Sequence, residues 1–187
     1  MTSTFAALGI DEALRTLDMV KDGGSSLDIV MQITSKRAGD VQGESDRVYA
    51  DSKPRLELMG YFFAAVSPTD PNSGSAAAKR QYSALRVVRG SDAATASMLK
   101  LLVGNDDITL SVSVFKAGGD AQIKDAKPLM RISLKAVRIQ TYTLLAGSGG
   151  PIEIIDFAFR TLEIESAPQT HTGSRGALRT FADSLGE

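Results

Sequence analysis

The stretch that most constrains this chain is DITLSVSVF, residues 107–115, in which polar and apolar side chains alternate. One face carries Ile108, Leu110, Val112 and Val114, and the other carries Thr109, Ser111 and Ser113. Because successive side chains of a strand point to opposite faces, this pattern predicts a strand that is buried on one face and wet on the other. Such strands are typical of antiparallel sheets.

Two longer β-rich segments, 128–145 and 151–166, exceed the usual strand length and change phase part-way along. The apolar residues switch between even and odd positions within each segment: Ile132 and Leu134, then Val137 and Ile139; Phe157 and Phe159, then Leu162 and Ile164. A β-bulge or a corner produces such a switch, and corners let a sheet curl on itself. We therefore predict a mainly β protein, an antiparallel β-barrel of two packed sheets.

One core helix is predicted at about residues 91–103. Its buried stripe consists of Ala94, Met98, Leu101 and Leu102. Ser91 or Asp92 can cap the first N–H groups, and Gly104 suits a left-handed position after the last turn. A second, short amphipathic helix is predicted at 10–21, within an N-terminal extension of residues 1–26 that precedes the barrel domain, 27–187.

The alternating strand runs into KAGGD, residues 116–120, and the next strand begins only near Pro128. That spacing is too long for a tight two-residue hairpin. Glycines at a strand end permit a turn with positive φ, so 117–127 is predicted to project as a loop. The polar segment 35–54 is likewise interpreted as a long loop, of a kind that is often functional.

Charge and cysteine content exclude several classes of protein. The net charge of -1 and the sequence pI near 5.9 argue against a nucleic-acid binder. The absence of cysteine excludes disulfides and thiolate zinc sites. We expect no membrane insertion, because no window approaches 18 apolar residues, and no signal peptide is evident.

Residues suited to catalysis are sparse. His171 is the only histidine and lies in a polar tail segment, and no known nucleophile motif is present. We interpret Asp106 and Asp107 as a solvated turn, although a site built on carboxylates alone stays open. The row Arg80, Tyr82 and Arg86 is either a solvated strand face or a wall that meets another subunit or cargo. We expect no enzyme activity, no cofactor and no metal.

From residue 27 onward the chain resembles the Hcp family, the tube-forming protein of bacterial type VI secretion systems. The ordered motifs VQGES (41–45), GSDAATASMLKLLVGNDDITLSVSVFKAGGD (90–120) and RISLKAVRIQTY (131–142) carry the resemblance. The closing segment IEIIDFAFRTLEIESAPQTHTGSRG, which begins at Ile152, follows in the same order.

The resemblance implies a structural subunit that forms homohexameric rings. These rings would stack into a hollow tube, work with a contractile sheath and spike or baseplate components, and hold small effectors. The subunit would assemble in the cytoplasm and leave through the type VI apparatus. Subunit or ring contacts are expected at Gly43, Glu44, Ser45, Lys116, Gly118, Gly119 and Asp120, and lumen-facing side chains at Ser111, Ser113 and Ser133. Two alternatives stay open, a tail-tube protein of another phage-like contractile particle and a monomeric β-barrel that binds an apolar ligand.

Overall fold

The computed structural model describes residues 27–45, 52–67, 79–116, 128–147, 149–167 and 176–185. In these ranges the chain forms twelve strands and one helix, α1 (Thr95–Val103). The strands are β1 (Leu27–Ser35), β2 (Gly39–Asp40), β3 (Leu56–Leu58), β4 (Gly60–Phe62), β5 (Ala65–Val66), β6 (Gln81–Tyr82), β7 (Leu85–Gly90), β8 (Ile108–Lys116), β9 (Met130–Gly147), β10 (Gly150–Ala158), β11 (Thr161–Ser166) and β12 (Arg179–Ser184). The helix predicted at 10–21 and His171 lie outside the described residues.

All the described strand pairs are antiparallel, and β9 joins two halves of the main sheet. Its first part pairs with β8 and β11, and its second part pairs with β10, which is followed by β7 and β4. The apolar faces of both halves enclose one core. The mainly β, antiparallel fold class predicted from the sequence is therefore confirmed. The described strands do not form a closed ring. However, β3 pairs with β1 and β4 pairs with β7, so the segment 56–62 contacts both halves of the main sheet.

The phase change predicted in β9 lies at Ala136, which has a positive φ of 50°. Lys135 and Ala136 are both exposed, and the register of β9 against β8 shifts nearby. A left-handed backbone is unfavourable for residues with a Cβ, and here it turns the strand from one half-sheet into the other. The second phase change coincides with the break between β10 and β11. The corners inferred from the pattern are thus real.

The left-handed backbone at Ala136 predicts unequal effects of substitution. We expect Ala136→Gly to raise the free energy of unfolding by up to about 1 kcal/mol, because glycine carries no left-handed penalty. We expect Ala136→Val to lower it by about 1 kcal/mol, since a β-branched side chain is poorly tolerated at positive φ. Urea unfolding measures both changes. Ala146→Gly, at an exposed position of the same strand, is the control and should destabilise; a matching loss at Ala136 would contradict the argument.

The helix α1 lies between β7 and β8 in the chain and packs on the core through the predicted stripe. Ala94 and Met98 are fully buried, Leu101 is almost so, and Leu102 packs against the core from its edge. The Asp92 carboxylate accepts the N–H of Ala94 at 2.8 Å, but Ala94 is itself the N-cap residue and no side chain caps the first turn, so the expected cap by Ser91 or Asp92 is wrong. The helix itself begins four residues later than predicted.

The end of the helix corrects one expectation. Gly104 has a right-handed φ of -71°, and the left-handed residue is Asn105, with φ 47°. The Asn105 N–H donates to Leu102 O and the Asp106 N–H donates to Leu101 O, which is a Schellman motif. Glycine is favoured at position 104 for a steric reason instead, since a Cβ there would lie 2.9 Å from Asp106 Oδ1.

The C-terminal strand β12 was not predicted. It pairs along its full length with β11 and lies at an edge of the described sheet. Its residues are mostly exposed, so no alternation between buried and wet positions marks it. No helix in the described ranges is long and apolar enough to span a membrane.

Candidate functional site

A cleft of about 610 Å³ opens where the loop 41–45, β3 and the entrance to α1 meet. Its lining residues are Glu44, Ser45, Glu57, Leu58, Met59, Arg89, Gly90, Ser91 and Asp92. The cleft exists because the chain changes partners at Met59. Its N–H donates to Val88 O at 2.8 Å, whereas the preceding strand β3 pairs with β1. We call this feature the acidic cleft, after the three carboxylates Glu44, Glu57 and Asp92 around it.

Asp92 ties the loop to the helix. One oxygen, Oδ1, accepts from Ala94 N–H and pairs with the Arg89 guanidinium, while Oδ2 accepts from the Glu44 N–H at 3.3 Å. In return, Glu44 Oε1 accepts from the Ala93 N–H at 3.2 Å. This exchange satisfies N–H groups at the helix start and places an anionic side chain where the helix dipole favours it.

Gly43 is needed for close approach. A Cβ at this position would lie 2.6 Å from Leu56 Cδ2 and 2.7 Å from Asp92 Oδ2. Beside it, the Ser45 hydroxyl donates to Glu57 Oε1 at 3.1 Å. The loop residues Gly43, Glu44 and Ser45, predicted as subunit contacts, therefore hold the wall of the acidic cleft within the chain.

Below the cleft, Arg89 and Glu153 form an ion pair that is almost completely buried. Arg89 is 1% exposed and Glu153 is 0% exposed. Arg89 Nε lies 3.8 Å from Glu153 Oε2, beyond hydrogen-bond distance, and the other carboxylate oxygen accepts from the Thr95 hydroxyl. Among the described residues, Arg89 Nε and Nη1 and Glu153 Oε2 have no hydrogen-bond partner. Breaking such a pair is costly, because it leaves a charge buried alone.

Tyr142 lies on β9 beside this pair. Burial is the main cause that raises the pKa of Tyr142 to about 12, and the negative charge of Glu153 adds to it. The phenol therefore stays neutral at every physiological pH, so it contributes a dipole to the buried cluster rather than a second negative charge.

The sequence carries a signal for this cluster. Arg89 shares strand parity with Leu85 and Val87, both fully buried, and Glu153 shares parity with Ile155. Two opposite charges at core positions of neighbouring β-rich segments indicate a buried ion pair. The row Arg80, Tyr82 and Arg86 considered above has the opposite parity.

The side chains of the row Arg80, Tyr82 and Arg86 bind carboxylates of the same chain. Arg86 binds both oxygens of Asp156, at 2.6 and 2.8 Å, while Arg80 and Tyr82 both bind Asp183. The expectation of a solvated turn at 106–107 is wrong for the first residue. Asp106 is only 7% exposed and accepts from the Ser35 hydroxyl at 2.9 Å.

Of the other four predicted contact residues, the described ranges include only Lys116. Lys116 ends β8, and Gly118, Gly119 and Asp120 lie outside the described residues. Within the described ranges no group of three or more metal-binding side chains occurs.

The three predicted lumen-facing serines divide into two groups. Ser111 and Ser133 are directly opposite on β8 and β9, and both are partly exposed. Gln32 and Glu163 extend this pair into a polar row across four strands. Ser113 is only 6% exposed, so it is covered within the chain itself.

Comparisons with known proteins agree on one family. The family described as "Type VI secretion system effector, Hcp" matches residues 30–165. No curated protein sequence matches the chain at a significant level.

Several solved structures share the fold. One is described as a type six secretion system protein, with a TM-score of 0.70, 24% identity, and coverage of 86% of this chain and 96% of that one. Hcp1 from Salmonella typhimurium has a TM-score of 0.63 and 15% identity, covering 86% and 95% of the two chains. The secreted protein Hcp3 from Pseudomonas aeruginosa has a TM-score of 0.60 and 10% identity, covering 87% and 100%.

Proposed function

The chain belongs to the Hcp family of type VI secretion proteins, and on that premise we propose that it forms hexameric rings that stack into a hollow tube. The family match over residues 30–165 carries the proposal. The family consists of structural tube proteins, so the chain acts by assembling with copies of itself and with other type VI components.

The sheet supports a role in a closed assembly. Strand edges that lack a partner promote association, and a head-to-tail ring pairs different surfaces of successive copies without open growth. In such a ring the polar row Gln32, Ser111, Ser133 and Glu163 would line the channel. Small effectors would travel there, against hydroxyl and amide groups rather than an apolar wall.

The remaining steps follow the family. The subunit assembles in the cytoplasm, the tube is built within a contractile sheath on a spike and baseplate, and the tube leaves the cell through the apparatus together with its effectors.

Native mass tests the proposal first. Light scattering on the purified chain, with negative-stain images of the same fraction, should show rings of about 119 kDa, six copies of the 19.8 kDa chain. A chain that stays monomeric at all concentrations contradicts the proposed ring and favours a monomeric ligand-binding barrel.

A further inference from the structure

We propose that the amphipathic segment 10–21 packs against the outer face of helix α1 in the same copy of the chain. The segment lies outside the described residues, and the family match begins only at residue 30, so neither the described fold nor the family assigns it a role. The inference goes beyond the proposed assembly, because it concerns a contact within one copy.

The helix α1 is apolar on both of its faces. Its inner face packs into the core through the buried residues Met98 and Leu101. Its outer face carries three exposed apolar residues, which we call the outer stripe: Ala96, Leu99 and Val103. Val103 is 86% exposed, and Lys100 is the only charged residue of the helix. A helix that is apolar all round is normally buried, so the outer stripe has the composition of a surface that another element covers.

The spacing of the outer stripe favours a helical partner. Its members follow one another at intervals of three and four residues, so their side chains lie on one side of α1. Two other exposed apolar residues, Leu144 and Leu145, are neighbours in β9 and therefore point to opposite faces of the sheet. The outer stripe is thus a continuous surface along one helix, and an elongated apolar element fits it.

The segment 10–21 has the complementary apolar face. Its apolar residues recur at helical spacing: Ile10, Ala13, Leu14, Leu17 and Val20. A helix this short gains most of its stability from packing an apolar face against a partner. In helical form the segment is about 18 Å long and the nine residues of α1 are about 14 Å long, so the segment can cover the whole outer stripe.

The described chain begins within reach of α1. It enters at Leu27, four residues before Met31 on β1. Met31 is paired with Leu56, whose side chain approaches Asp92 at the entrance to α1. The helix therefore starts about 13 Å along β1 and about 10 Å to the side of the entry point. The linker 22–26 bridges about 20 Å when extended, which is enough for this gap.

The helix also runs in a suitable direction. Its start is level with Met31, and just after its end the Lys36 N–H donates to Asp107 O at 3.1 Å. These two levels are about 16 Å apart along β1, close to the length of α1. The helix thus runs alongside β1 and away from Leu27. A segment that folds back at the linker 22–26 lies antiparallel to α1.

Thiol labelling tests the contact, because the chain contains no cysteine. In a Val103→Cys chain, the further change Leu14→Asp/Leu17→Asp puts two charges into the apolar face of the segment. We expect the thiol to react about tenfold faster as the segment leaves α1. The matched control Thr16→Asp/Met19→Asp adds the same charge to the opposite side of the segment and should leave the rate unchanged.

A second cysteine site checks that the labelling reports on the outer stripe. In an Ala146→Cys chain the thiol lies on an exposed position of β9, away from α1. Its reaction rate should be the same with and without Leu14→Asp/Leu17→Asp. A rise at both sites would show general unfolding, and the contact would then be wrong.

Mixing separates a contact within one copy from a contact between copies. The chain Val103→Cys/Leu14→Asp/Leu17→Asp is unfolded and refolded together with a tenfold excess of the wild-type chain, which carries no thiol. We expect its cysteine to stay fast-reacting, because its own segment cannot cover α1. Protection by the wild-type excess would assign the outer stripe to a segment of a neighbouring copy and would overturn the proposal.

The contact and the proposed assembly fail independently. Equal rates for Val103→Cys with and without Leu14→Asp/Leu17→Asp overturn the contact and leave the ring proposal standing. A wild-type chain that never forms rings contradicts the proposed function, while the labelling rates still decide where the segment 10–21 packs.

Discussion

Glu153→Ala is expected to lower the free energy of unfolding by about 3 kcal/mol, the lower end of the cost of breaking a buried ion pair, because the buried Arg89 guanidinium loses one of its two counter-charges. Arg89 would keep only Asp92, which lies at the helix entrance and is already shared with Ala94 N–H and Glu44 N–H. Thr95 would lose the acceptor of its hydroxyl as well. Urea unfolding at a constant protein concentration measures the change, since association would otherwise alter the apparent stability.

Two further variants isolate the cause. Glu165→Ala removes the same side chain from the more exposed pair with Arg131, at 3.6 Å, and should cost less than about 1 kcal/mol. The double variant Arg89→Met/Glu153→Leu removes both charges and should recover most of the loss, because apolar side chains of similar size can replace a buried pair. A loss at Glu153→Ala no larger than at Glu165→Ala would show that the buried pair is not held as described.

Much of the fold could be predicted because it depends on local pattern. Alternation in β8 identified a half-buried strand, and the phase changes identified the corner at Ala136 and the break before β11. The helical stripe, with Met98 at its centre, followed from spacing alone. Each of these features is decided by residues that are close together in the sequence.

The acidic cleft could not be predicted, because it depends on which strands pair. The chain leaves β1 for β7 at Met59, and nothing in the residues around Met59 indicates that exchange. The strand β12 was missed for a related reason. Its position is held by its ladder with β11, while side chains such as Phe181 remain largely exposed.

The role of the loop motif at 41–45 also depends on contacts between residues that are far apart in the sequence. The resemblance pointed to Gly43 and Glu44 as residues that matter, and it suggested contacts between subunits. The structure places both against Asp92 and the helix start, more than 45 residues further along the chain. Within the described structure both residues build the wall of the acidic cleft.

Gly43→Ala should therefore be one of the most damaging small substitutions in the chain. The added methyl would lie 2.6 Å from Leu56 Cδ2 and 2.7 Å from Asp92 Oδ2. Neither neighbour can move freely, because Leu56 is 1% exposed in the core and Asp92 is held by Arg89 and two N–H groups. Overpacking of this kind costs about 1–3 kcal/mol, and we expect the upper part of that range in urea unfolding.

The matched control is Gly147→Ala, where a Cβ meets no heavy atom within 4 Å and the change should stay within about 0.5 kcal/mol. Shortening the buried neighbour tests the mechanism. In a Leu56→Val background the closer of the two contacts disappears, so Gly43→Ala should cost about 1 kcal/mol less than in the wild-type chain. Strictly additive effects would mean that the clash with Leu56 is not what excludes a side chain at position 43, and the contact with Asp92 would then have to carry the whole penalty.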